Sequence, residues 1–448
     1  MKIPSVKGVR DILPASFGGE AEAFQFVETT CRKLLEDFGF SEIIIPIFEY
    51  TDLFARGIGS TTDIVEKEMY TFEDRDGKKV SLRPEATAPV VRALIEHNLI
   101  ATSPMLKLYY VGPMFRHERP QAGRYRQFHQ IGVEVFGSSS PMIDVEVLSL
   151  VHLIFLKLKI PDLELQMNSL GDPQCRPNYR KVLKQFLKER LHHLCENCKR
   201  RFETNPLRVL DCKEKGCRAA TQEAPVSIDH LCQECLSHFM EVKNGLNKLK
   251  IPFKINERLV RGLDYYVRTA FEMVSPHLGA QNAVAAGGRY DGLVETLGGS
   301  PIPGIGFAMG MERVISLFDK ANLTAPGLDL FIATMGPEAK VIAVDAVFQL
   351  RQKGIRVETD YENNSLKSQM RRADKLGARY VLILGEDEIQ KGQVTLRDMV
   401  RKDQRNLELS GWVESLVGFL RSANQKIPSE RKRARGEGSI RLFWRYKA

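Results

Sequence analysis

The sequence contains no long uninterrupted apolar run. Its greasiest stretch, residues 145–160, is broken by Glu146, His152, Lys157 and Lys159. A bilayer-spanning helix needs about 20 consecutive apolar residues, so this stretch is too short and too polar, and no membrane partner is expected. The first eight residues, MKIPSVKG, lack the apolar core of a secretory leader, and a cytoplasmic location is the expectation. The chain also lacks a Walker-type phosphate loop and any strand-linked G-x-G-x-x-G that opens a helix. A nucleotide site here must therefore be of another type. No solenoid-type repeat is present.

What is there fits an ordinary globular protein, with 43% hydrophobic and 27% charged residues. At 448 residues the chain exceeds a single core, and roughly two to four domains are expected. The net charge of +9 is unevenly placed. Residues 425–448 hold eight basic and two acidic side chains, a net +6, which leaves +3 for the other 424 residues. Most of the basic character belongs to a tail whose composition reads as disordered, so nucleic-acid binding must be argued from sites.

Six of the eight cysteines fall between Cys195 and Cys235: Cys195-x2-Cys198, Cys212-x4-Cys217 and Cys232-x2-Cys235. In a reducing compartment such knuckles favour structural zinc over disulfides. Zinc needs four ligands and six thiols are on offer. A reduced, metal-free helical subdomain is the alternative, and the metal is left open.

Apolar spacing predicts a helix over 18–38, ending at Gly39. Strands are expected at 42–48, 80–83, 107–111 and 127–136, the first interrupted by Pro46 and so placed at a sheet edge or a subunit boundary. A helix follows over 142–158. Residues 173–250 are charged and cysteine-rich and read as an inserted helical subdomain. Strands resume at 253–256 and 269–274, and a helix is expected over 307–318. Short apolar strands at 329–335, 355–360 and 380–384 alternate with helices at 338–353 and 366–376, which implies a largely parallel sheet covered by helices. The expected divisions are a catalytic domain in two parts, 1–172 and 251–322, around the 173–250 insertion, then an α/β domain at 328–422 and the tail at 425–448.

Five stretches carry chemistry. RGLDYY, Arg261 to Tyr266, puts a guanidinium fork suited to phosphate beside two phenols that can wall an amphipathic ligand. FRHERP and its continuation place Arg116, His117, Arg119, Arg124 and Arg126 in one loop. So many like charges call for an anion or for carboxylates among them. In LRPEAT, Glu85 and Thr87 together can bind an ammonium group, although Thr87 could simply cap the next helix. Glycine-rich AGGRYDG, 286–292, and GIGFAMGMER, 304–313, would let a ligand approach the backbone, with Arg313 placed to stack on a base.

With these residues assembled, the chain resembles the histidyl-tRNA synthetases, a class II aminoacyl-tRNA synthetase family, from about residue 7 to 420. The carriers are the helix-strand-proline unit ending at Pro46, FRHERP, the glycine-rich stretch ending at Arg313, RGLDYY and AGGRYDGL. The resemblance implies an α+β catalytic domain with an antiparallel six-stranded sheet, a C-terminal α/β anticodon-binding domain, and a homodimer. It implies activation of L-histidine by ATP with Mg2+, then transfer to tRNA(His). By the same resemblance Glu85 and Thr87 would meet the histidine ammonium, and Arg116 the α-phosphate and carboxylate. Gln130 and Glu134 would line the pocket, with Glu134 and Tyr266 bonding the imidazole. Arg261 would face the α-phosphate, Tyr265 and Tyr290 would wall the pocket, and Arg313 would stack on adenine. Gln121 and Arg126 could meet the tRNA acceptor end, and Lys367, Arg371, Arg372 and Lys375 its anticodon region. A non-catalytic, histidine-sensing regulatory paralogue is the alternative reading.

Overall fold

The computed structural model describes residues 3–60, 62–120, 123–279, 281–319, 327–362 and 364–425. The chain forms two compact units, Met1–Leu323 and Thr324–Ala448.

The first unit opens with α1 (Ala21–Asp37), whose stripe of Phe24, Val27, Cys31, Leu34 and Leu35 is buried. It continues through β1 (Ser41–Glu42), β2 (Phe48–Tyr50), α2 (Thr51–Ile58), β3 (Thr71–Glu73), β4 (Lys79–Leu82) and α3 (Thr87–Glu96). A long hairpin follows, β5 (Leu106–Phe115) and β6 (Gln127–Phe136), then α4 (Pro141–Leu158) and β7 (Glu164–Ser169). Helices α5 (Arg176–Lys188), α6 (Glu196–Thr204), α7 (Lys215–Ala220) and α8 (Gln233–Lys248) come next. The unit closes with β8 (Lys254–Ile255), β9 (Val267–Val274), β10 (Ala283–Arg289), α9 (Leu293–Thr296), β11 (Gly304–Gly310) and α10 (Met311–Leu317).

The main sheet has the order β1-β5-β6-β11-β10-β9-β7-β8. Its inner six strands are mutually antiparallel, as expected, and a two-residue parallel strand is added at each edge. One face packs on α1, α4 and α8 in a single apolar core. The opposite face carries the cavity described below.

Three local expectations are corrected. The strand over 42–48 is confined to Ser41–Glu42 and resumes at Phe48 in a separate three-stranded sheet, β2-β4-β3. Pro46 has no N–H for a ladder, and the carbonyls of Ile45 and Pro46 turn instead to buried Arg83 at 2.7 and 3.2 Å. The helix over 307–318 begins only at Met311, because Gly304–Gly310 is strand β11, a central strand rather than a loop. The insertion also divides: α5 to α7 enclose their own core from Tyr179 to Cys217, whereas α8 packs Phe239, Val242 and Leu246 into the main core.

Helix α4 is seated by a buried ionic cluster. Arg289 and Asp144 are both fully buried and 2.7 Å apart, and His238 of α8 meets the other Asp144 oxygen at 2.8 Å. Arg289 also donates to the carbonyls of Ser138 and Ser140 and to Asp291 Oδ1, which satisfies its remaining N–H groups. The arginine of the AGGRYDG tract is therefore a brace between β10 and the start of α4.

The second unit contains β12 (Leu330–Thr334), α11 (Pro337–Gln352), β13 (Val357–Thr359), α12 (Leu366–Lys375), β14 (Tyr380–Leu384), α13 (Glu386–Gln390), β15 (Gln393–Asp398), β16 (Gln404–Glu408) and α14 (Trp412–Gln425). The sheet order is β13-β12-β14-β15-β16. The first three strands are parallel, as the alternation implied, and β15 and β16 extend the sheet antiparallel.

Removing one partner of a buried pair strands the other charge, at a cost of about 3–5 kcal/mol. Asp144→Ala is expected to lower the stability of the first unit by about 3 kcal/mol, read from denaturant midpoints. An unchanged midpoint would show that the carbonyl contacts of Arg289 suffice.

Candidate active site

Side chains alternate along β6. Ile131, Val133 and Val135 enter the core beneath the sheet, while Phe128, Gln130 and Glu134 share the upper face. On neighbouring β11 and β10 the upper-face positions are Gly306, Ala308, Gly310 and Ala286, in register with β6 and with each other. A sheet whose central strands bear almost no side chains is hollow there. The hollow is a cavity of about 1110 Å³, roofed partly by Arg208, Leu210, Asp211, Cys212, Lys213 and Arg218 of the insertion.

Glu85, Thr87, Arg116, Gln130, Arg261, Tyr265, Tyr266, Tyr290 and Arg313 all line this cavity. Glu134 is 1% exposed and lies behind the wall. The Thr87 hydroxyl donates to its Oε1 at 2.7 Å, and the Tyr290 hydroxyl donates to its Oε2. Glu134 thus holds Thr87 and Tyr290 in place. Burial pushes the Glu134 carboxyl up to about 8, against the lowering effect of those two hydroxyls, and nearby Glu85 adds to the rise. The glycines here serve protein side chains as well as ligand approach. A Cβ on Gly306 would overlap the Glu134 carboxylate, and one on Gly304 would overlap the Tyr290 ring.

The cap of α3 is not Thr87, as one sequence reading had it. Glu85 caps it instead: its carboxylate accepts the N–H groups of Thr87 at 2.7 Å and Ala88 at 3.0 Å. Thr87 is thereby freed to reach Glu134. Burial raises the Glu85 pKa, partly offset by these N–H bonds. Gln130 leaves a buried Oε1 without a protein partner on the cavity wall. Tyr265 stands between Tyr266 and Tyr290, with ring centroids 4.6 and 5.7 Å away.

At the other end of the cavity the groups are cationic. Arg116 lies just beyond the last β5–β6 pair, donates to the Pro84 carbonyl at 2.8 Å and packs over Phe128. Arg313 donates to the carbonyls of Gln281 and Ala283. Its pKa is lowered by burial and by the charges of Arg124 and Arg116, only partly relieved by Glu118. Arg261 pairs with Glu272 of β9 and lies 5.2 Å from the Tyr266 ring centroid. Burial would lower the Arg261 pKa, but Tyr266 and Glu272 raise it on balance. Its Nε is buried without a partner. Three guanidiniums on one cavity wall, one with an unpaired N–H, are suited to a polyanion.

Some expected residues lie elsewhere. Arg126 is not on the cavity wall; it packs on Gly8 and its carbonyl accepts the Arg116 N–H. His117 and Arg119 are exposed outside it. Gln121 lies outside the described residues. Asp264 of RGLDYY turns away to Asn205 of the insertion at 2.8 Å. Sequence reasoning missed Tyr110, Glu272, Glu312 and the insertion's Arg208, Lys213 and Arg218 on the wall. Nothing local marks them, because four separate segments bring them there.

A six-stranded antiparallel core with an arginine-bearing hairpin and a hollow centre is the catalytic fold of a class II aminoacyl-tRNA synthetase. The family model described as histidyl-tRNA synthetase matches residues 8–314, and that of an anticodon binding domain matches 329–418. A histidine–tRNA ligase of Trichlorobacter lovleyi is 55% identical over 410 residues, covering 91% of this chain and 96% of that protein. The crystal structure of apo Staphylococcus aureus histidyl-tRNA synthetase superposes with a TM-score of 0.78 at 36% identity, covering 93% of this chain and 100% of that one. A Bacillus halodurans structure titled as an ATP phosphoribosyltransferase regulatory subunit/histidyl-tRNA synthetase shares the fold alone, with a TM-score of 0.62 at 18% identity over 86% of this chain and 99% of that one. The chain belongs to the histidyl-tRNA synthetase family.

The raised Glu134 pKa has a signed consequence. The native state keeps this carboxyl protonated up to about pH 8, whereas an unfolded glutamate releases its proton near 4.5. Between those values the native state binds more protons, so this contribution is full below the unfolded pKa and is lost as pH rises through 8. Glu134→Gln should flatten stability against pH between about 4.5 and 8. An equal slope in variant and wild type, from denaturant midpoints, would place the proton elsewhere.

Proposed function

We propose that this protein is a histidine–tRNA ligase that forms histidyl-adenylate in the cavity and then esterifies tRNA(His). The observation that carries this is a single cavity with one polar-aromatic end and one cationic end. The first end suits an amino acid with a ring bearing two nitrogens. Gln130, with an unpartnered buried oxygen, and Tyr266 offer it polar contacts. An amino acid without those nitrogens would leave buried polar groups unpaired, which is costly. Glu85 and Thr87 stand at the ammonium, Tyr265 and Tyr290 wall the ring, and Glu134 fixes Thr87 and Tyr290 in place.

The second end suits ATP. The histidine carboxylate attacks the α-phosphorus, and pyrophosphate leaves. Arg116 and Arg261 neutralise charge that grows on the phosphate in the transition state. Arg313 stacks on adenine. The wall also carries the hard oxygen donors Glu272 and Glu312, which fit Mg2+ shared with substrate phosphates. When bound, that ion would neutralise phosphate charge. The terminal ribose hydroxyl of tRNA then attacks the activated carbonyl, and AMP leaves.

Transfer requires tRNA, and the second unit supplies a basic stripe for it. Lys367, Arg371 and Lys375 are exposed at i, i+4 and i+8 on α12, whereas Arg372 is paired with Asp360 at 3.4 Å. A regulatory paralogue needs neither that domain nor Arg261. Arg126 stays assigned to the acceptor end, beside the Arg116 loop. All eight cysteines are free, as suits a reducing, cytoplasmic setting. No described helix is long and apolar enough to cross a membrane.

ATP–pyrophosphate exchange tested with each of the twenty amino acids is expected to require histidine. Exchange with a different amino acid, or with none, overturns the reading. Arg261→Ala should cut exchange by about 10²–10³-fold and leave histidine affinity within a few-fold, because the lost charge acts mainly in the transition state. Equal exchange rates would remove that role.

Ile44, Ile47, Phe48, Tyr50 and Phe72 leave large apolar side chains exposed on and before the small β2-β4-β3 sheet. Such a patch supports a homodimer through this region. Sedimentation equilibrium should give a dimer that Phe48→Lys weakens, and a fully active monomeric wild type would refute it.

A further inference from the structure

The insertion gathers its cysteines into two groups that the sequence spacing alone does not define. Cys195, Cys198, Cys212 and Cys217 form one, with all four sulfurs within 4.8 Å of one another. Asp172, Cys175, Cys232 and Cys235 form the other, to the same limit. The second recruits Cys175, which stands isolated in sequence, and a carboxylate from the end of the catalytic body.

We propose that this chain holds two structural zinc ions, one on four thiolates and one on three thiolates and a carboxylate. The distances select a metal over a disulfide. Cys195 and Cys212 sulfurs are 3.9 Å apart, and those of Cys175 and Cys235 are 3.8 Å apart. A disulfide requires about 2.0 Å. Tetrahedral zinc with bonds of about 2.3 Å to sulfur places its ligands about 3.8 Å apart. In the second group Cys232 Sγ lies 3.8 Å from Asp172 Oδ2, and a carboxylate has no role in a disulfide.

The surroundings fit thiolates. The Cys195 N–H points to Cys217 Sγ at 3.1 Å, and the Asp172 N–H to Cys175 Sγ at 3.2 Å. Such bonds stabilise ligand sulfur and orient it. Asp172 Oδ1 accepts the N–H groups of Gln174 and Cys175, and Oδ2 faces both Cys232 Sγ at 3.8 Å and the Arg268 guanidinium at 3.6 Å. A Cβ on Gly171 would lie 2.6 Å from Cys175 Sγ, so the chain keeps that space for the sulfur. Soft sulfur donors in a tetrahedral set select zinc over magnesium or calcium.

The two sites would hold different things. The four-thiolate site ties the start of α6 to the Cys212 loop and α7, and that loop roofs the cavity. The Cys3Asp site clamps the insertion at its base, where the chain leaves the body at Asp172 and returns at α8. Arg176, next after Cys175, donates to the Tyr266 carbonyl on the cavity wall. The insertion's own core is small, and a metal supplies what so little buried surface cannot.

Elemental analysis of the full chain, purified under reducing conditions without chelator and offered zinc, tests this. Two zinc ions per chain are expected. Cys198→Ser should lose one equivalent, and Asp172→Asn or Cys235→Ser the other. Should a variant fail to fold, stepwise cobalt binding to the metal-free wild type distinguishes the sites, with one four-sulfur spectrum and one three-sulfur-one-oxygen spectrum. No metal in folded protein, or disulfides between these cysteines, overturns the proposal; a single equivalent overturns the Cys3Asp site. Metal content is read without activity, so its failure leaves the ligase reading untouched.

Discussion

A carboxylate buried in the middle of a sheet needs hydrogen-bond donors and room. Glu134 receives two hydroxyl donors, and its room exists because the strand beside it carries Gly306. The donors come from distant segments, Thr87 at the start of α3 and Tyr290 after β10. One buried oxygen pair thus fixes where α3, β6, β10 and β11 stand relative to one another. The cavity is the consequence: strands that must stay bare to admit Glu134 and Tyr290 also leave the hollow that a substrate can fill.

The same economy holds at the turn before α3. Glu85 satisfies the helix's first N–H groups, which frees Thr87 to serve Glu134. Arg83, one turn earlier, binds the carbonyls of Ile45, Pro46 and Pro113. A proline that cannot join a sheet is thereby anchored without one. Charge is handled differently at the two ends of the cavity. Burial raises the pKa of the Glu85 and Glu134 carboxyls, whereas Arg116, Arg261 and Arg313 bring positive charge to the cavity wall. A reaction that joins a carboxylate to a phosphate needs both environments within one enclosure.

The insertion follows another logic. Its core is separate from that of the sheet, and its cysteines converge in two groups. Two of its contacts with the body, Asn205 to Asp264 and Arg176 to Tyr266, run directly to the tract that walls the pocket. Ordering of the insertion and shape of the pocket are therefore linked through a few bonds.

Apolar spacing located α1, which buries one stripe, and short apolar runs alternating with helices located the parallel strands of the second unit, because both signals are written locally. Motif composition likewise singled out Glu85, Thr87, Arg116, Arg261 and Arg313, which the structure gathers on one cavity wall. Strand β11 was hidden, because its glycines look like loop residues unless the partner strands are known. Glu134's bonds to Thr87 and Tyr290, Glu272 beside Arg261, and Cys175 beside Cys235 were equally out of reach. Each joins residues from 11 to 156 positions apart. The sequence by itself determined which chemistry the chain carries. Only the tertiary structure decided which side chains face the substrate and which hold those that do, because that depends on strand register and on what lies across the sheet.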